Sequence, residues 1–422
     1  MSKLESRENM FQKNVVEFSI KNINMIGNCN NGSIIGLSPD GHQFVQKIKA
    51  SHSFDEIEKI ITGTKDRTLY IALKEQGYFE NCTEKRMEAA YFHLNNDCNL
   101  HCLGCYSHNS ERNHGNNMTY EEICIALRKM KELGINDIII SGGEPFLRED
   151  IYEILKYIKE SLEFQSVQVI TNGTITNMYD PIRIAKYVDE LNISIDGFSK
   201  TNSTYIRDKG IYDTIFGNID KLKQNGICLK LIATLHRQNI DFAGEYIKLS
   251  QRIDIPVSFS ILTCSGDFEE FEKWLPTEEQ LKRYGYGEIK GLDKVYSEAK
   301  GTDFILMARK TCGMGQRLIS ISNTGDIYPC HMAQLPFAIL GNILRDSNSD
   351  IRRNCAEFAA KVDVDNIESC LGCEYKYVCG GGCRARALTL HQDAQAADDY
   401  CVISKTYFET VFDHLAQEIS EK

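Results

Sequence analysis

The most regular pattern in the chain is an alternation of apolar runs and amphipathic segments between about residues 88 and 263. Asp137–Ile140 and Val167–Ile170 are nearly continuous apolar runs, which favours parallel strands that are covered on both faces. The segments between such runs carry apolar residues at helical spacing on one face. Six strand–helix units of this kind predict an α/β fold with a partial (β/α)6 barrel. The chemistry of such a barrel lies at the carboxyl ends of its strands.

Capping signals place the helices of this barrel. Thr119 and Glu122 form a capping box in front of the first helix, and Asp180–Pro181 opens the third. The polar residues that follow the predicted strands are therefore candidate site residues. The six strands are predicted to end at Leu94, Ile140, Ile170, Ile195, Ala233 and Ile261.

Residues 1–86 predict a small separate module of the α+β type. This stretch favours two strands, Val15–Ile20 and Ser33–Leu37, and three short helices that open at Ser38, Ser53 and about Asp66. The order of these elements is winged-helix-like. A cap that covers the barrel is the simpler interpretation of the same elements.

Composition and charge narrow the range of functions. With 422 residues the chain has room for two or three domains. Its net charge of −11 argues against a nucleic acid or an anionic membrane as the main partner. No apolar run approaches the roughly 18 residues of a membrane span, and the polar N-terminus lacks the apolar core of a signal peptide. These features predict a cytoplasmic protein with no nucleic-acid or membrane partner.

Cysteine is the unusual residue of this chain. Sixteen cysteines are present, and most of them fall in two groups, at 98–105 and 312–401. Without a secretion signal, such groups indicate metal or cluster ligation rather than disulfides. Most of the cysteines outside the motifs, such as Cys29, Cys124 and Cys228, are predicted to be ordinary buried thiols.

The first group consists of Cys98, Cys102 and Cys105, directly after the first barrel strand. A [4Fe–4S] cube takes one thiolate per iron, so three cysteines leave one iron free for another ligand. Structural zinc rarely uses this spacing alone. The triplet resembles the signature of the radical S-adenosylmethionine (SAM) superfamily, in which the free iron chelates the amino and carboxylate groups of SAM. Gly104 departs from the aromatic residue usual at that position, and Tyr106 is the candidate to replace its packing.

Other strand ends agree with this resemblance. Gly142, Gly143 and Glu144 follow the second strand and resemble the SAM-amino motif of the superfamily. Glycines let a backbone approach a ligand closely, and a carboxylate accepts hydrogen bonds from an ammonium group. Ser194 on the fourth strand is a further candidate, and Arg207 lies where relatives place an arginine on the SAM carboxylate. Taken singly these residues also fit a plain turn and a surface arginine, but together with the triplet they predict a SAM site.

The second group contains seven cysteines in the order C-x12-G-x4-C, C-x2-C-x5-C-x3-C and a late cysteine. Its middle part alone also fits a zinc ribbon. Attached to a radical SAM barrel, the whole run resembles the SPASM extension, which implies two auxiliary [4Fe–4S] clusters. Carried over from that family, the distal cluster is held by Cys370, Cys373, Cys379 and Cys401, and the proximal cluster by Cys312, Cys330 and Cys383.

The proximal set lacks a fourth ligand. Some relatives have another cysteine between the equivalents of Cys312 and Cys330, and this chain has none there. The fourth position is open, is filled by Cys355, or takes a substrate thiolate, which is a natural ligand for that metal. These alternatives stay open at the level of sequence.

The resemblances divide the chain into a module at 1–86, a radical SAM barrel at 87–263, a bridging segment at 264–310 and a SPASM domain at 311–422. The N-terminal module resembles, in element order and position, the peptide-recognition element of enzymes that modify ribosomally made peptides. Such modules bind a leader peptide as an extra strand at a sheet edge.

The resemblance implies three [4Fe–4S] clusters and SAM, whose cleavage gives a 5′-deoxyadenosyl radical that removes hydrogen from an unactivated carbon. The leading hypothesis is a maturase that joins a cysteine sulfur of a precursor peptide to a carbon, as sactipeptide and ranthipeptide maturases do. The position of that carbon, α or further out, stays open. The expected partners are a precursor peptide, with its leader on the N-terminal module, and a reductant of the flavodoxin or ferredoxin type.

Three other functions are weighed against this hypothesis. Sulfatase-maturing enzymes resemble this barrel but typically have an aspartate after the equivalent of Cys330, where this chain has His331. Carbon–carbon cross-linking, as in quinone-cofactor or cyclic-peptide maturation, is a second alternative. A non-enzymatic electron carrier would need no SAM pocket, so Gly142–Glu144, Ser194 and Arg207 argue against it.

Overall fold

The computed structural model describes residues 10–79, 87–107, 112–175, 180–263, 271–291 and 306–421. Two of the cysteines outside the motifs, Cys82 and Cys264, lie outside these ranges. Among the described helices, none combines the length and the apolar content that a membrane crossing requires.

The N-terminal module is an antiparallel three-stranded sheet followed by three helices. The strands follow the order β1–β2–β3 in the sheet. The sequence predicted two strands and missed the middle one, because the turn at Lys21 and Asn22 has positive φ at two residues that are not glycine. The elements are β1 (Val15–Ile20), β2 (Ile23–Asn28), β3 (Ser33–Leu37), α1 (Pro39–Ala50), α2 (Phe54–Ile60) and α3 (Thr64–Glu75).

This module packs against the C-terminal part of the chain. The helices α1–α3 cover one face of its sheet, where Ile26 and Phe44 belong to one apolar cluster. From β1 and β2, Ile20 and Met25 pack with Phe412 in another cluster. The small sheet is therefore covered on both faces, and its edges are the parts that stay accessible.

In the described part of the chain the central sheet contains nine strands, and its six barrel strands are all parallel, as the sequence predicted. They are β4 (Ala89–His93), β5 (Asp137–Ser141), β6 (Ser166–Thr171), β7 (Glu190–Ile195), β8 (Leu229–Leu235) and β9 (Val257–Ile261). Three short strands extend the sheet beyond β4, and the sequence did not predict them because two to four residues show no periodicity. They are β10 (Leu318–Ile321), parallel to β4, then β11 (Asp326–Tyr328) and β12 (Gly341–Asn342).

The helices of the barrel begin where the capping signals placed them. Thr119 and Glu122 form the predicted capping box, and Asp180 accepts hydrogen bonds from the backbone N–H groups of Ile182 and Arg183. The described helices are α4 (Tyr120–Glu132), α5 (Ile151–Lys156), α6 (Pro181–Tyr187), α7 (Tyr212–Gln224) and α8 (Ala243–Ile253).

The segment predicted only as a bridge contains a further helix, α9 (Glu278–Gly285), which begins at a capping box of Thr277 and Gln280. Parts of the bridging segment predicted at 264–310 lie outside the described residues. The C-terminal region is helical, and several of its helices begin or end at a cysteine or directly beside one. Its helices are α10 (Asn348–Lys361), α11 (Glu368–Leu371), α12 (Lys376–Cys379), α13 (Arg384–His391) and α14 (Cys401–Ser420).

Alternation along the barrel strands separates an apolar core from a polar interior. On β7, Leu191 and Ile193 are fully buried in the main hydrophobic cluster. Asn192 and Ser194 alternate with them and so face the other side of the sheet. The polar side chains at the strand ends therefore point towards the interior of the barrel.

Candidate active site

The cysteine loop after β4 is held against the turn that follows β5. The backbone N–H groups of Gly143 and Glu144 donate to the carbonyl oxygens of Asn95 and Asp97, at 2.9 and 2.7 Å. A Cβ atom on Gly142 would lie 2.4 Å from the carbonyl oxygen of Asn95, and one on Gly143 would lie 2.1 Å from that of Asp97. The close approach that these glycines permit is therefore to the cysteine loop itself.

Glu144 links the ends of two neighbouring strands. It is fully buried, and its carboxylate accepts hydrogen bonds from Thr171 Oγ1 at 2.8 Å and from the backbone N–H of Asn172 at 2.7 Å. Burial raises the pKa of Glu144 to about 7, although the hydrogen bonds from Asn172 and Thr171 oppose that rise. Two hydrogen bonds to the Glu144 carboxylate therefore hold the ends of β5 and β6 together.

Asn172 is a site residue that the sequence analysis did not single out. Its Nδ2 donates to Asn99 Oδ1 at 2.8 Å and lies 3.9 Å from Cys98 Sγ. Its position immediately after β6 could have identified Asn172, because polar side chains at the carboxyl ends of parallel strands face the site.

The loop after β7 holds the cysteine loop from the other side. The Asp196 carboxylate accepts hydrogen bonds from the backbone N–H groups of Tyr205, Ile206 and Arg207. In turn, the carbonyl oxygen of Ile206 accepts from the backbone N–H of Leu103 at 2.7 Å. These bonds fix the loop that carries Arg207 beside the cysteine triplet.

The Arg207 side chain lies beside one of the three thiols of the triplet. Its Nη1 is 3.6 Å from Cys102 Sγ, and its charge acts on the buried Glu144 carboxyl. The structure thus brings the predicted residues Glu144 and Arg207 together at the triplet. Ser194 is half-buried on β7, two residues before Asp196 and on the same face.

The three thiols of the triplet lie close enough to act on one another. Burial raises the pKa of Cys98 and of Cys102, and the neighbouring thiols of the triplet raise it further. Burial acts in the same direction on Cys105, but hydrogen bonds from Ser107 and Arg112 hold its pKa below the ordinary value. Arg112 also approaches Cys98, and nothing in its sequence context predicted this contact.

The packing expected from an aromatic residue at position 104 comes from elsewhere in the chain. A Cβ atom on Gly104 would lie 2.8 Å from Leu262 Cδ1 and 2.9 Å from Phe271 Cε1. Phe271 therefore packs where an aromatic residue at 104 would lie. Tyr106, the expected replacement, instead shares a hydrogen bond with Ser141 Oγ at 2.9 Å. Its ring packs edge-on against the rings of His93 and His331.

The seven C-terminal cysteines form two separate groups. The pKa of Cys330 is raised to about 12, chiefly by burial and in part by the charges of Cys312 and Cys383. The pKa of Cys401 is raised to about 11, chiefly by burial and in part by Cys379 and Cys373; the same two thiols act on Cys370. We call the first group the proximal set (Cys312, Cys330 and Cys383) and the second the distal set (Cys370, Cys373, Cys379 and Cys401).

Cys355 differs from the thiols of the proximal set in its surroundings. It is on α10, 1% exposed, and belongs to the main hydrophobic cluster. Burial alone raises its pKa to about 12, whereas the thiols of the proximal set act on one another. The thiol of Cys355 is therefore a core side chain in this structure.

Comparison with known families agrees with the geometry of both cysteine regions. The model of the radical SAM superfamily matches residues 93–249, and that of the SPASM iron–sulfur cluster-binding domain matches residues 312–374. The chain is a radical SAM protein with a SPASM domain. These domains imply a [4Fe–4S] cluster that binds SAM and auxiliary [4Fe–4S] clusters.

Individual relatives of this radical SAM protein cover most of its length. It is 27% identical over 320 residues to the mycofactocin maturase MftC of Mycolicibacterium smegmatis, which is 72% of this chain and 80% of that protein. It is 28% identical over 328 residues to the PqqA peptide cyclase of Rhizobium meliloti, 74% of this chain and 86% of that protein. The crystal structure of Streptococcus suis SuiB bound to S-adenosylmethionine has the same fold, with a TM-score of 0.57 at 15% identity, over 93% of this chain and 99% of that one.

The donor sets of the radical SAM and SPASM regions consist of thiols, the ligands that [4Fe–4S] clusters take. Among the described residues, no three side chains of His, Cys, Asp or Glu come together closely enough to hold one metal ion. The match of residues 312–374 to the SPASM iron–sulfur cluster-binding domain favours clusters over the zinc ribbon considered from the sequence. Cys312 keeps accessible surface although burial is the largest cause of its raised pKa.

An uncharged aromatic wall separates the triplet of the radical SAM barrel from the proximal set. The ring of His331 stacks on Tyr91, with centroids 3.9 Å apart, and meets Tyr106 edge-on at 5.3 Å. Burial lowers the pKa of His331 to about 4 and that of His93 to about 3. Both imidazoles are therefore neutral near pH 7, and the wall presents no net charge to the interior.

Proposed function

We propose that this radical SAM protein forms thioether bonds between a cysteine sulfur and a carbon within a ribosomally made precursor peptide. A peptide substrate is supported by the names of two relatives, mycofactocin maturase and PqqA peptide cyclase, and by the structure of SuiB bound to its precursor peptide SuiA. When bound, SAM and the clusters supply hydrogen-atom abstraction from carbon and an acceptor for one further electron.

For SAM, we assign Cys98, Cys102 and Cys105 as the ligands of its cluster. Arg207, beside Cys102, is a suitable partner for the carboxylate of SAM, since a guanidinium binds carboxylates in a fixed geometry. Gly142, Gly143 and Glu144 hold the cysteine loop in position, and together with Ser194 they complete the set of residues assigned to the SAM side of the site.

The observation that carries the thioether assignment is the composition of the proximal set. We assign Cys312, Cys330 and Cys383 to the proximal cluster, and Cys355 is buried in the core. Three thiolates leave one position of a cube for another ligand. A cysteine thiolate of the substrate is a chemically matched ligand for that position. The distal set provides four thiolates and needs no further ligand.

The proposed reaction balances as a two-electron oxidation of the peptide. The carbon would lose one hydrogen atom, which the 5′-deoxyadenosyl group of cleaved SAM would take up to give 5′-deoxyadenosine. The thiol would lose its proton to solvent, and the one electron released as the carbon–sulfur bond forms would pass to an auxiliary cluster. The neutral aromatic wall of Tyr91, Tyr106 and His331 keeps charged groups and their bound water away from this reaction.

We further propose that the leader of the precursor peptide adds to the edge of β3. In the described part of the chain, β3 pairs with β2 alone. Its sequence, Ser-Ile-Ile-Gly-Leu, has none of the charges or prolines that protect exposed strand edges. The other edge strand, β1, carries Glu17 in an ion pair with Lys49 at 2.7 Å. An unprotected edge in a small module suits the addition of a peptide strand.

Incubation with a precursor peptide tests the function. A short cysteine-rich peptide encoded beside the gene is incubated anaerobically with the loaded enzyme, SAM and a reductant. Each bridge is expected to remove two hydrogens from the peptide mass and to protect one cysteine from alkylation. A peptide of unchanged mass, or one that still alkylates at every cysteine, contradicts the proposal.

Carbon–carbon cross-linking is the second candidate, and it is favoured by the similarity to the PqqA peptide cyclase. Such a product also loses two hydrogens per bond, so mass alone does not separate the two reactions. Alkylation separates the two reactions, because carbon–carbon linkage leaves all thiols free whereas thioether formation consumes one thiol per bridge.

A further inference from the structure

Arg384 is a buried arginine whose hydrogen-bonding capacity is only partly used. It follows Cys383 at the start of α13 and is 1% exposed. Its Nη1 donates to the carbonyl oxygens of Ala394 and Ala396, at 3.1 and 2.6 Å. Its Nε and Nη2 are buried and have no hydrogen-bond partner among the described residues.

The described residues also contain no carboxylate that pairs with the Arg384 charge. Asp398, the buried acid of this region, is already paired with Arg386 and accepts from the backbone N–H groups of Cys383 and Tyr400. A buried cation that lacks a counter-ion, and two of whose nitrogens have no acceptor, is destabilising. The folded protein therefore needs a negative group beside Arg384.

The two thiol sets of the SPASM domain are placed to supply that negative charge. The Nε atom of Arg384 lies 3.6 Å from the place that a Cβ atom on Gly381 would take. Gly381 is in the short loop that joins Cys379 of the distal set to Cys383 of the proximal set. The guanidinium is therefore beside the loop that connects the two sets.

We propose that Arg384 is the shared counter-ion of the two auxiliary clusters, to whose sulfurs its Nε–H and Nη2–H groups donate. This inference rests on the proximal and distal ligand sets proposed above. A cube held by thiolates carries net negative charge, which grows on reduction. A neighbouring cation with N–H donors stabilises the reduced form most, and such contacts tune the potential of a cluster. Arg384 thereby raises the reduction potentials of both clusters.

A redox titration of the full chain tests this role without any peptide substrate. In a parent variant, Cys98, Cys102 and Cys105 are replaced by alanine, so that only the auxiliary clusters contribute to the electron paramagnetic resonance signal. Arg384→Gln removes the charge, and Arg384→Lys keeps it without the planar set of donors. Arg345→Gln is the matched control, since the Arg345 side chain is 75% exposed.

The expected result is a shift of both auxiliary potentials to lower values in Arg384→Gln, a smaller shift in Arg384→Lys and none in Arg345→Gln. Unchanged potentials in Arg384→Gln at full iron content overturn the proposal, and a shift of one cluster alone overturns the shared role.

Iron content is measured as well, because a variant that does not incorporate its clusters gives no potential to compare. Loss of iron from Arg384→Gln but not from Arg384→Lys supports the need for the charge. Equal loss from both variants indicates a packing role and overturns the proposal. The parent variant should hold about eight irons; fewer irons in the parent would instead contradict the ligand sets, so the two failures are distinguishable.

Discussion

Arg207 Nη1 lies 3.6 Å from Cys102 Sγ although 105 residues separate the two along the chain. The contact depends on Asp196, whose carboxylate binds the backbone N–H groups of Ile206 and Arg207 at 3.0 and 3.1 Å. Asp196 is 5% exposed and touches no thiol through any of these bonds. The position of the arginine at the triplet is therefore set by a residue that does not itself reach the triplet.

Replacing Asp196 by alanine should weaken SAM binding by the same amount as replacing Arg207. Without the carboxylate, three consecutive N–H groups lose their acceptor and the loop no longer holds the guanidinium beside Cys102. Hydrogen bonds to a charged acceptor contribute about 1.5–3 kcal/mol each, so the loss of SAM affinity should be at least tenfold. Binding is measured by titrating SAM into the reduced, loaded enzyme and following the change in its electron paramagnetic resonance spectrum.

The double variant separates this positioning role from a general loss of stability. If Asp196 acts through Arg207, Asp196→Ala combined with Arg207→Ala should bind SAM no more weakly than Arg207→Ala alone. Additive losses would contradict the coupling. Asp213→Ala serves as the surface control, since the Asp213 side chain is 73% exposed.

Gly143→Ala should prevent the triplet from holding its cluster. The new Cβ atom would lie 2.1 Å from the carbonyl oxygen of Asp97, so the cysteine loop must move. Overpacking of this kind costs about 1–3 kcal/mol, and the movement displaces the adjacent Cys98. The expected loss is about four irons per chain, measured after anaerobic reconstitution. Gly217→Ala on α7 is the matched control, because nothing lies within 4 Å of the place that its new methyl group would take; equal iron loss in both variants would contradict the argument.

The barrel and both cysteine regions were predictable because their signals are local. Capping residues such as Thr119 and Asp180, continuous apolar strands and the spacing of cysteines all act within a few residues of one another. The contacts that complete the site are not local. Asn172 and Arg112 reach the thiols only after folding; the position of Asn172 after a strand gave a weak signal, and nothing in the residues beside Arg112 announces its contact. Arg384 follows Cys383 directly, but its effect on Cys312 arises only in the folded chain.

Cys355 shows how the structure narrows an alternative that the sequence left open. Cys355→Ala should leave the iron content unchanged and reduce the free energy of unfolding by roughly 1 kcal/mol, because it removes one buried atom from the main hydrophobic cluster. Cys383→Ala should lower the iron content, since Cys383 belongs to the proximal set. Iron analysis and denaturant unfolding of the two variants test this contrast. Loss of iron from Cys355→Ala would restore Cys355 as a candidate ligand.

Leader binding at β3 should be visible by hydrogen exchange. A peptide that adds as a strand covers the outward N–H groups of Ser33–Leu37, so these amides should exchange more slowly when the leader is bound. The amides of Val15–Ile20 on the other edge should not change. Protection of β1 instead of β3, or of neither, would contradict the proposed edge. The core half of the same precursor, without its leader, is the matched control.

His236 should make stability depend on pH in a predictable direction. It is fully buried at the end of β8, between the rings of Tyr205 and Trp274. Burial lowers its pKa from 6.5 to about 4, although the charge of Asp196 opposes that change. The unfolded chain therefore binds a proton below about pH 6.5 that the folded chain binds only near pH 4. The contribution of His236 is fully present above pH 6.5 and is lost as the pH falls, at up to about 1.4 kcal/mol per pH unit. His236→Phe should flatten the decrease in unfolding free energy between pH 6.5 and pH 5, measured by denaturant unfolding of the loaded chain. An identical pH dependence in His236→Phe and the unmodified chain would show that the buried imidazole is not the group that titrates.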